Sequence, residues 1–198
     1  MARLGSRAGT HLALCLLWSA GIALGLYKTA VYTNTSNEVS AQPQDWPAGA
    51  GVKRAAGAPV LLLTLHPHCP CSRATLAELA RLLAKVPAPP QVEILLYEPG
   101  TRADWGHSTL AGMARAIPGV VVRPDRNGVE AGRFGLTVSG QAALYSPDGR
   151  LVFSGGLTGS RGHEGANAGR SAVESLLSGR EPATRRTRVF GCSILDRR

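Results

Sequence analysis

Apolar residues fall into two kinds of pattern along the chain. A long, nearly unbroken stretch runs from about Leu12 to Leu26 and closes at Tyr27-Lys28. Beyond residue 58 the apolar runs are short and regularly punctuated. Val60–Leu65 and Val92–Tyr97 have the length and continuity of strands covered on both faces. Between them, Leu76, Leu79, Leu82, Leu83 and Val86 recur at helical spacing, with Arg73, Glu78, Arg81 and Lys85 on the side expected to face water. This predicts a helix over Cys71–Val86, ended by Pro87-Ala88-Pro89-Pro90.

The same reading predicts a helix over Trp105–Ile117 that stops at Pro118-Gly119, a short strand at Val120–Val122 and a helical turn at Val129–Phe134. Gln141–Tyr145 and Leu151–Phe153 flank Ser146-Pro147-Asp148-Gly149, a strong hairpin turn. Arg170–Leu177 closes the domain as a helix. A strand, helix, strand unit implies a right-handed parallel crossover. The expected fold is therefore α/β, a central mixed sheet flanked by helices in three layers.

The first apolar stretch, preceded by Arg3 and Arg7, reads as a membrane-targeting segment. An uncleaved anchor is favoured, because the possible cleavage site Val39-Ser40-Ala41 lies well beyond the apolar run. The two arginines would then stay in the cytoplasm and the rest of the chain would be exported. This divides the chain into an anchor (residues 1–31), a flexible linker rich in small and polar residues (32–58), a folded domain (59–179) and a basic tail (180–198). The formal charge of +9 is concentrated partly in that tail, in Arg180, Arg185, Arg186, Arg188, Arg197 and Arg198. No basic face interleaved with aromatics accompanies it, so a nucleic-acid partner is not expected. A solvated tail near a membrane surface fits better.

The chemistry is concentrated in His66-Pro67-His68-Cys69-Pro70-Cys71-Ser72-Arg73, where the first strand hands over to the first helix of the domain. Unpaired N–H groups at a helix N-terminus favour a thiolate over a thiol. His68 when protonated, and Arg73 one turn on, would add to that effect. Cys15 falls in the anchor, and Cys192 follows the apolar pair Val189-Phe190, which gives the tail something to dock with. An odd thiol in an oxidising compartment points to exchange or metal binding more than to a structural disulfide.

The segment order and two motifs resemble the membrane-anchored thioredoxin-like proteins of bacteria over about residues 59–178. One motif is Cys69–Leu79, similar to the family's active-site helix. The other is Phe134-Gly135-Leu136 with Ala143-Leu144-Tyr145-Ser146-Pro147-Asp148-Gly149-Arg150-Leu151-Val152, similar to its hairpin. The chain also resembles an uncharacterised bacterial group labelled RedB. The resemblance implies a thioredoxin-like fold and a periplasmic thiol–disulfide oxidoreductase on the inner membrane, spanning it once. Protein thiols and disulfides would be its partners, and it would need no cofactor.

It also implies that Cys69 is the nucleophile and that Ser72 occupies the family's second-cysteine position, with Cys71 between them. Either Cys71 or Cys192 would then resolve the mixed disulfide. The family's cis-proline falls on Val138-Ser139-Gly140, where Gly140 replaces the proline and Ser139 and Gly140 would line the site.

Those departures keep an alternative open. His66, His68, Cys69 and Cys71 form an N2S2 set suited to Cu or Zn, with His163 as a possible further ligand from the loop Gly155–Gly169. On that reading the protein is a metal-binding module or metallochaperone of the same fold. Arg161, His163, Glu164 and Asn167 of the loop are candidates to line a pocket.

Overall fold

A computed structural model describes residues 2–100 and 103–194. The chain forms two units, residues 1–35 and 36–198. The first is the helix α1 (Ala2–Asn34). Its stretch Ala8–Asn34 contains an 18-residue window of mean hydropathy 1.6 and is long and apolar enough to cross a membrane. At its C-terminal end the hydroxyls of Thr29 and Thr33 donate back to the carbonyls of Gly25 and Thr29. Polar side chains near the end of an apolar helix thus find partners inside the helix itself.

The second unit is built on a five-stranded mixed sheet. Its strands are β1 (Val60–Leu65), β2 (Gln91–Glu98), β3 (Val120–Arg126), β4 (Gln141–Tyr145) and β5 (Leu151–Gly156), in the order β3-β2-β1-β4-β5. β1, β2 and β3 are parallel, whereas β4 pairs antiparallel with both β1 and β5. Alternation along β1 supplies two cores. Leu61, Leu63 and Leu65 face one side, packing with Leu76, Leu79 and Leu82 of α2 (Ser72–Leu83). Leu110, Ala111 and Ala114 of α3 (Thr109–Arg115) and Ala172 and Val173 of α5 (Ala168–Leu177) join that cluster. Val60 and Leu62 face the other side, with Phe134, Leu136, Ala143 and Tyr145, beside the short helix α4 (Val129–Arg133). Each fully buried leucine contributes about 1.5–3 kcal/mol.

Three expectations need correction. The helix expected over Trp105–Ile117 is broken into a 3-10 turn (Ala103–His107) and α3, because Ser108 caps α3 through the N–H of Ala111. Residues 36–58, read from composition as a flexible linker, lie against the domain. Trp46 packs edge-on to Phe134 and Tyr145, the Tyr145 hydroxyl donates to the Pro43 carbonyl, and the Trp46 N–H reaches Gly149. The tail is not solvated throughout either. Val189, Phe190 and Ile194 are buried, while Arg197 and Arg198 lie outside the described residues.

Glu78 departs from the pattern most sharply. Helical spacing places it with the water-facing residues, yet its side chain has no exposed surface. It pairs with Arg170 at 2.7 Å and Arg81 at 2.5 Å, and accepts from the Gly165 N–H and the Asn167 side-chain amide. Asn167 in turn caps α5 through the Arg170 N–H. One carboxylate therefore joins α2, α5 and the glycine-rich loop between β5 and α5. Substituting Glu78→Ala leaves Arg170, which is largely buried, without its counter-charge. Such a change costs about 3–5 kcal/mol, so thermal unfolding of the variant should begin well below that of the native chain. An unchanged midpoint would refute this role.

Candidate functional site

The site lies at the C-terminal end of β1. Backbone N–H groups close the turn: Cys69 N–H donates to His66 O, and Ser72 N–H to Cys69 O. Cys71 sits at the N-cap of α2 without a side-chain cap bond. A cysteine at that position leaves the first-turn donors open to a neighbouring negative charge. Cys69 is nearly inaccessible, 2% exposed, and Cys71 is also buried. None of the four cysteines is joined in a disulfide in this structure.

The third thiol of the domain comes from the far end of the chain. The tail runs antiparallel along residues 137–139, with Val138 opposite Ser193. Ser139 N–H donates to Cys192 O at 2.8 Å, and Ile194 N–H donates to Thr137 O at 2.9 Å. This pairing brings both the thiol and the backbone N–H of Cys192 onto the Cys69 sulfur. Burial pushes the Cys69 thiol up. The Cys192 thiol and N–H, the Ser72 hydroxyl and the Cys71 N–H together outweigh burial and hold it below the ordinary cysteine range.

The other two thiols move the opposite way. Burial, donation to Cys69 and its negative charge push Cys192 up to about 11. Burial and the Cys69 charge also raise Cys71, against the pull of Arg161. A single thiolate, at Cys69, is therefore favoured among three clustered sulfurs.

The Ser72 bond belongs to a longer chain. Ser139 Oγ lies 2.8 Å from Ser72 Oγ and accepts the His66 N–H at 2.8 Å. With Ser72 donating to sulfur, Ser139 donates to Ser72 while accepting from the His66 N–H, so both hydroxyl protons in the relay have a partner. Ser72, which takes the place of a second cysteine in the sequence motif, thus acts as a donor to the first. Gly140 completes the floor: its N–H donates to Thr64 O at 2.7 Å with φ at +86°. A Cβ there would meet Thr75 Oγ1 at 2.9 Å.

Several sequence candidates are placed elsewhere. Arg73 and His68 are exposed, and His163 is exposed on the loop. Glu164 pairs with Arg81, and Asn167 caps α5, so both brace the loop. Arg161 does approach the thiols: it donates to Gly191 O at 2.5 Å and to Asn37 Oδ1 at 2.9 Å. Asn37 was not singled out by the sequence, and no local signal marks it.

His66 stacks on Tyr97, with centroids 5.5 Å apart, while Trp105 contacts the rings of both His66 and His68 edge-on. The imidazoles belong to an aromatic cluster with Tyr97 and Trp105. Among the described residues no group of three or more His, Cys, Asp or Glu side chains is disposed to hold a metal ion. The N2S2 set of His66, His68, Cys69 and Cys71 is therefore not assembled, and His163 does not complete it.

Two substitutions test this geometry. Ser72→Ala removes a hydrogen bond to a charged sulfur, worth about 1.5–3 kcal/mol, and should lower the acid dissociation constant of Cys69 about tenfold or more. Peptide-mapped alkylation across pH would show the Cys69 midpoint moved upward; an unmoved midpoint would exclude the bond. Gly140→Pro, which restores the residue type of the resembling family, should destabilise the domain by about 3 kcal/mol or more. Proline cannot adopt positive φ and would remove the bond to Thr64. A chemical denaturation midpoint equal to the native one would contradict this account.

No protein-family model and no curated protein matches the chain. Solved structures do. An uncharacterised conserved protein from Geobacillus kaustophilus aligns over 82% of this chain and 94% of its own, at 17% identity and a TM-score of 0.56. A hypothetical protein from Sinorhizobium meliloti aligns over 82% and 97%, at 18% identity and 0.55. A secreted Mycobacterium tuberculosis disulfide oxidoreductase homologous to E. coli DsbE aligns over 63% and 83%, at 19% identity and a TM-score of 0.41. The first two likenesses establish a shared fold and nothing finer, and none of the three supports the RedB likeness. The mixed sheet, with its thiols at the end of β1, is consistent with the thioredoxin-like α/β fold expected from the sequence.

Proposed function

We propose that this protein is a thiol–disulfide oxidoreductase of the inner membrane, anchored by α1, with its thioredoxin-like domain in the periplasm. The observation that carries the reading is the meeting of Cys192 with Cys69, whose thiol is held below the ordinary range. The Cys69 thiolate attacks a protein disulfide, forming a mixed disulfide and expelling one substrate sulfur as a thiolate, which takes up a proton. Cys192 then loses its proton and attacks the Cys69 sulfur. The second substrate thiol leaves, and the protein is left with a Cys69–Cys192 disulfide.

Two electrons have passed to the substrate, and an external dithiol must return them. Cys192 is the better resolving thiol because it approaches from a separate segment. A bond between Cys69 and Cys71 would close a small strained ring. Cys71 remains as a second, protonated thiol beside the charge.

The full chain in detergent, supplied with dithiothreitol and a protein disulfide, tests this. Cys69→Ser should lose at least a hundredfold in turnover, Cys192→Ser should accumulate a mixed disulfide at Cys69, and Cys71→Ser should stay within a few-fold of native. Native turnover in Cys69→Ser would end the proposal. A Cys69–Cys71 disulfide in the oxidised native chain would reassign the resolving role.

A further inference from the structure

While the tail is seated, no outside disulfide can reach Cys69, which is 2% exposed. The tail is seated by means that any extended peptide could use. Its main chain pairs with the backbone of residues 137–139 through Ser139 N–H to Cys192 O and Ile194 N–H to Thr137 O. Val189, Phe190 and Ile194 are buried, Cys192 is half-buried and turned to the site, and Ser193 is exposed.

The position before the cysteine is the most constrained. A Cβ at Gly191 would fall 1.8 Å from Ser139 O and 3.3 Å from Val138 Cγ1. On its other side the Gly191 carbonyl accepts from Arg161, and its N–H donates to Asn37 Oδ1 at 3.3 Å. Glycine is the residue that fits between that pair and the Ser139 carbonyl.

We propose that Val189–Ile194 is a tethered occupant of a peptide-binding edge. The ligand of that edge is an extended segment of another polypeptide in which a cysteine follows a glycine and an apolar residue precedes it. Substrate and tail alternate on residues 137–139: the incoming segment displaces the tail and presents its sulfur to Cys69, and the returning tail presents Cys192. This rests on the oxidoreductase reading in one respect, that the sulfur delivered to Cys69 is the reacting group. Main-chain pairing supplies affinity, and the narrow place before the cysteine supplies selectivity.

The test uses the reduced full chain in detergent and a fluorescein-labelled hexapeptide, Val-Phe-Gly-Ser-Ser-Ile, together with its Gly-to-Ala counterpart. Gly191→Ala should unseat the tail by collision with the Ser139 carbonyl, and Ile194→Pro by loss of the bond to Thr137. Circular dichroism checks that each variant is folded, and Ile194→Pro decides the matter if Gly191→Ala is not. Relative to the native chain, either variant should bind the glycine probe at least tenfold more tightly by anisotropy. Each should also alkylate at Cys69 at least tenfold faster, and the alanine probe should bind at least tenfold more weakly than the glycine probe.

Equal binding by native and variant chains, or equal binding of the two probes, would overturn the proposal. The probes contain no sulfur, which separates the two readings. Binding without disulfide turnover would defeat the oxidoreductase reading alone. Turnover without probe binding would defeat this inference alone.

Discussion

The Glu78 carboxylate lies between α2, α5 and the loop that joins β5 to α5, with both oxygens engaged by cationic or amide donors. Burying a charge this deeply is costly unless it is paired and fully hydrogen-bonded. The return on that cost is positional. Gly165 and Asn167 are tied down by the carboxylate, and the same loop carries Arg161 to Gly191 O and to Asn37. The tail, and with it Cys192, is thereby held from the loop side while residues 137–139 hold it from the sheet side. An ion pair on one helix thus fixes where a sulfur from the other end of the chain comes to rest.

The electrostatics of the three sulfurs follow from that placement. Three thiolates close together would repel one another in a buried site. The arrangement favours one charge, on Cys69, with its two neighbours protonated. Cys192 at about 11 has a consequence for folding. Its pKa is raised above the ordinary value of 9.0, so the thiol's contribution to stability is full below pH 9 and is lost as pH rises toward 11. The folded state of the reduced site is thus weakened under alkaline conditions, the opposite of the trend set by Cys69.

Much of the frame was legible because its signals are local. Continuous apolar runs marked β1 and β2, helical spacing marked α2, and a proline-aspartate-glycine turn marked the β4–β5 hairpin. The tail reads as solvated, although the apolar pair Val189-Phe190 before Cys192 offers it something to dock with. What was not legible depends on long-range contact. Nothing near Glu78 in sequence distinguishes a buried carboxylate from a solvated one: Arg81 is a local partner of the ordinary solvated kind, and Gly165, Asn167 and Arg170 lie more than eighty residues away. Trp46 and Asn37 sit in a stretch whose composition reads as a linker, and their packing is visible only once Tyr145 and Val189 are in place. The histidines looked like ligands by type and spacing, but neighbouring aromatic rings decide their surroundings.

The tail has two parts with different neighbours. Before it reaches the site, it runs parallel to β5, where Ser154 N–H donates to Arg185 O and Thr187 N–H donates to Ser154 O. β5 is the last strand of the sheet on that side. An uncovered strand there would offer a row of free amides and carbonyls to another chain. Arg185–Arg188 thus shields the sheet against edge-to-edge association, and Val189–Ile194 alone covers the sulfur. Movement confined to the last few residues opens the site without uncovering the edge. Solubility of the folded domain and access to its thiol are in this way assigned to adjoining halves of one short segment.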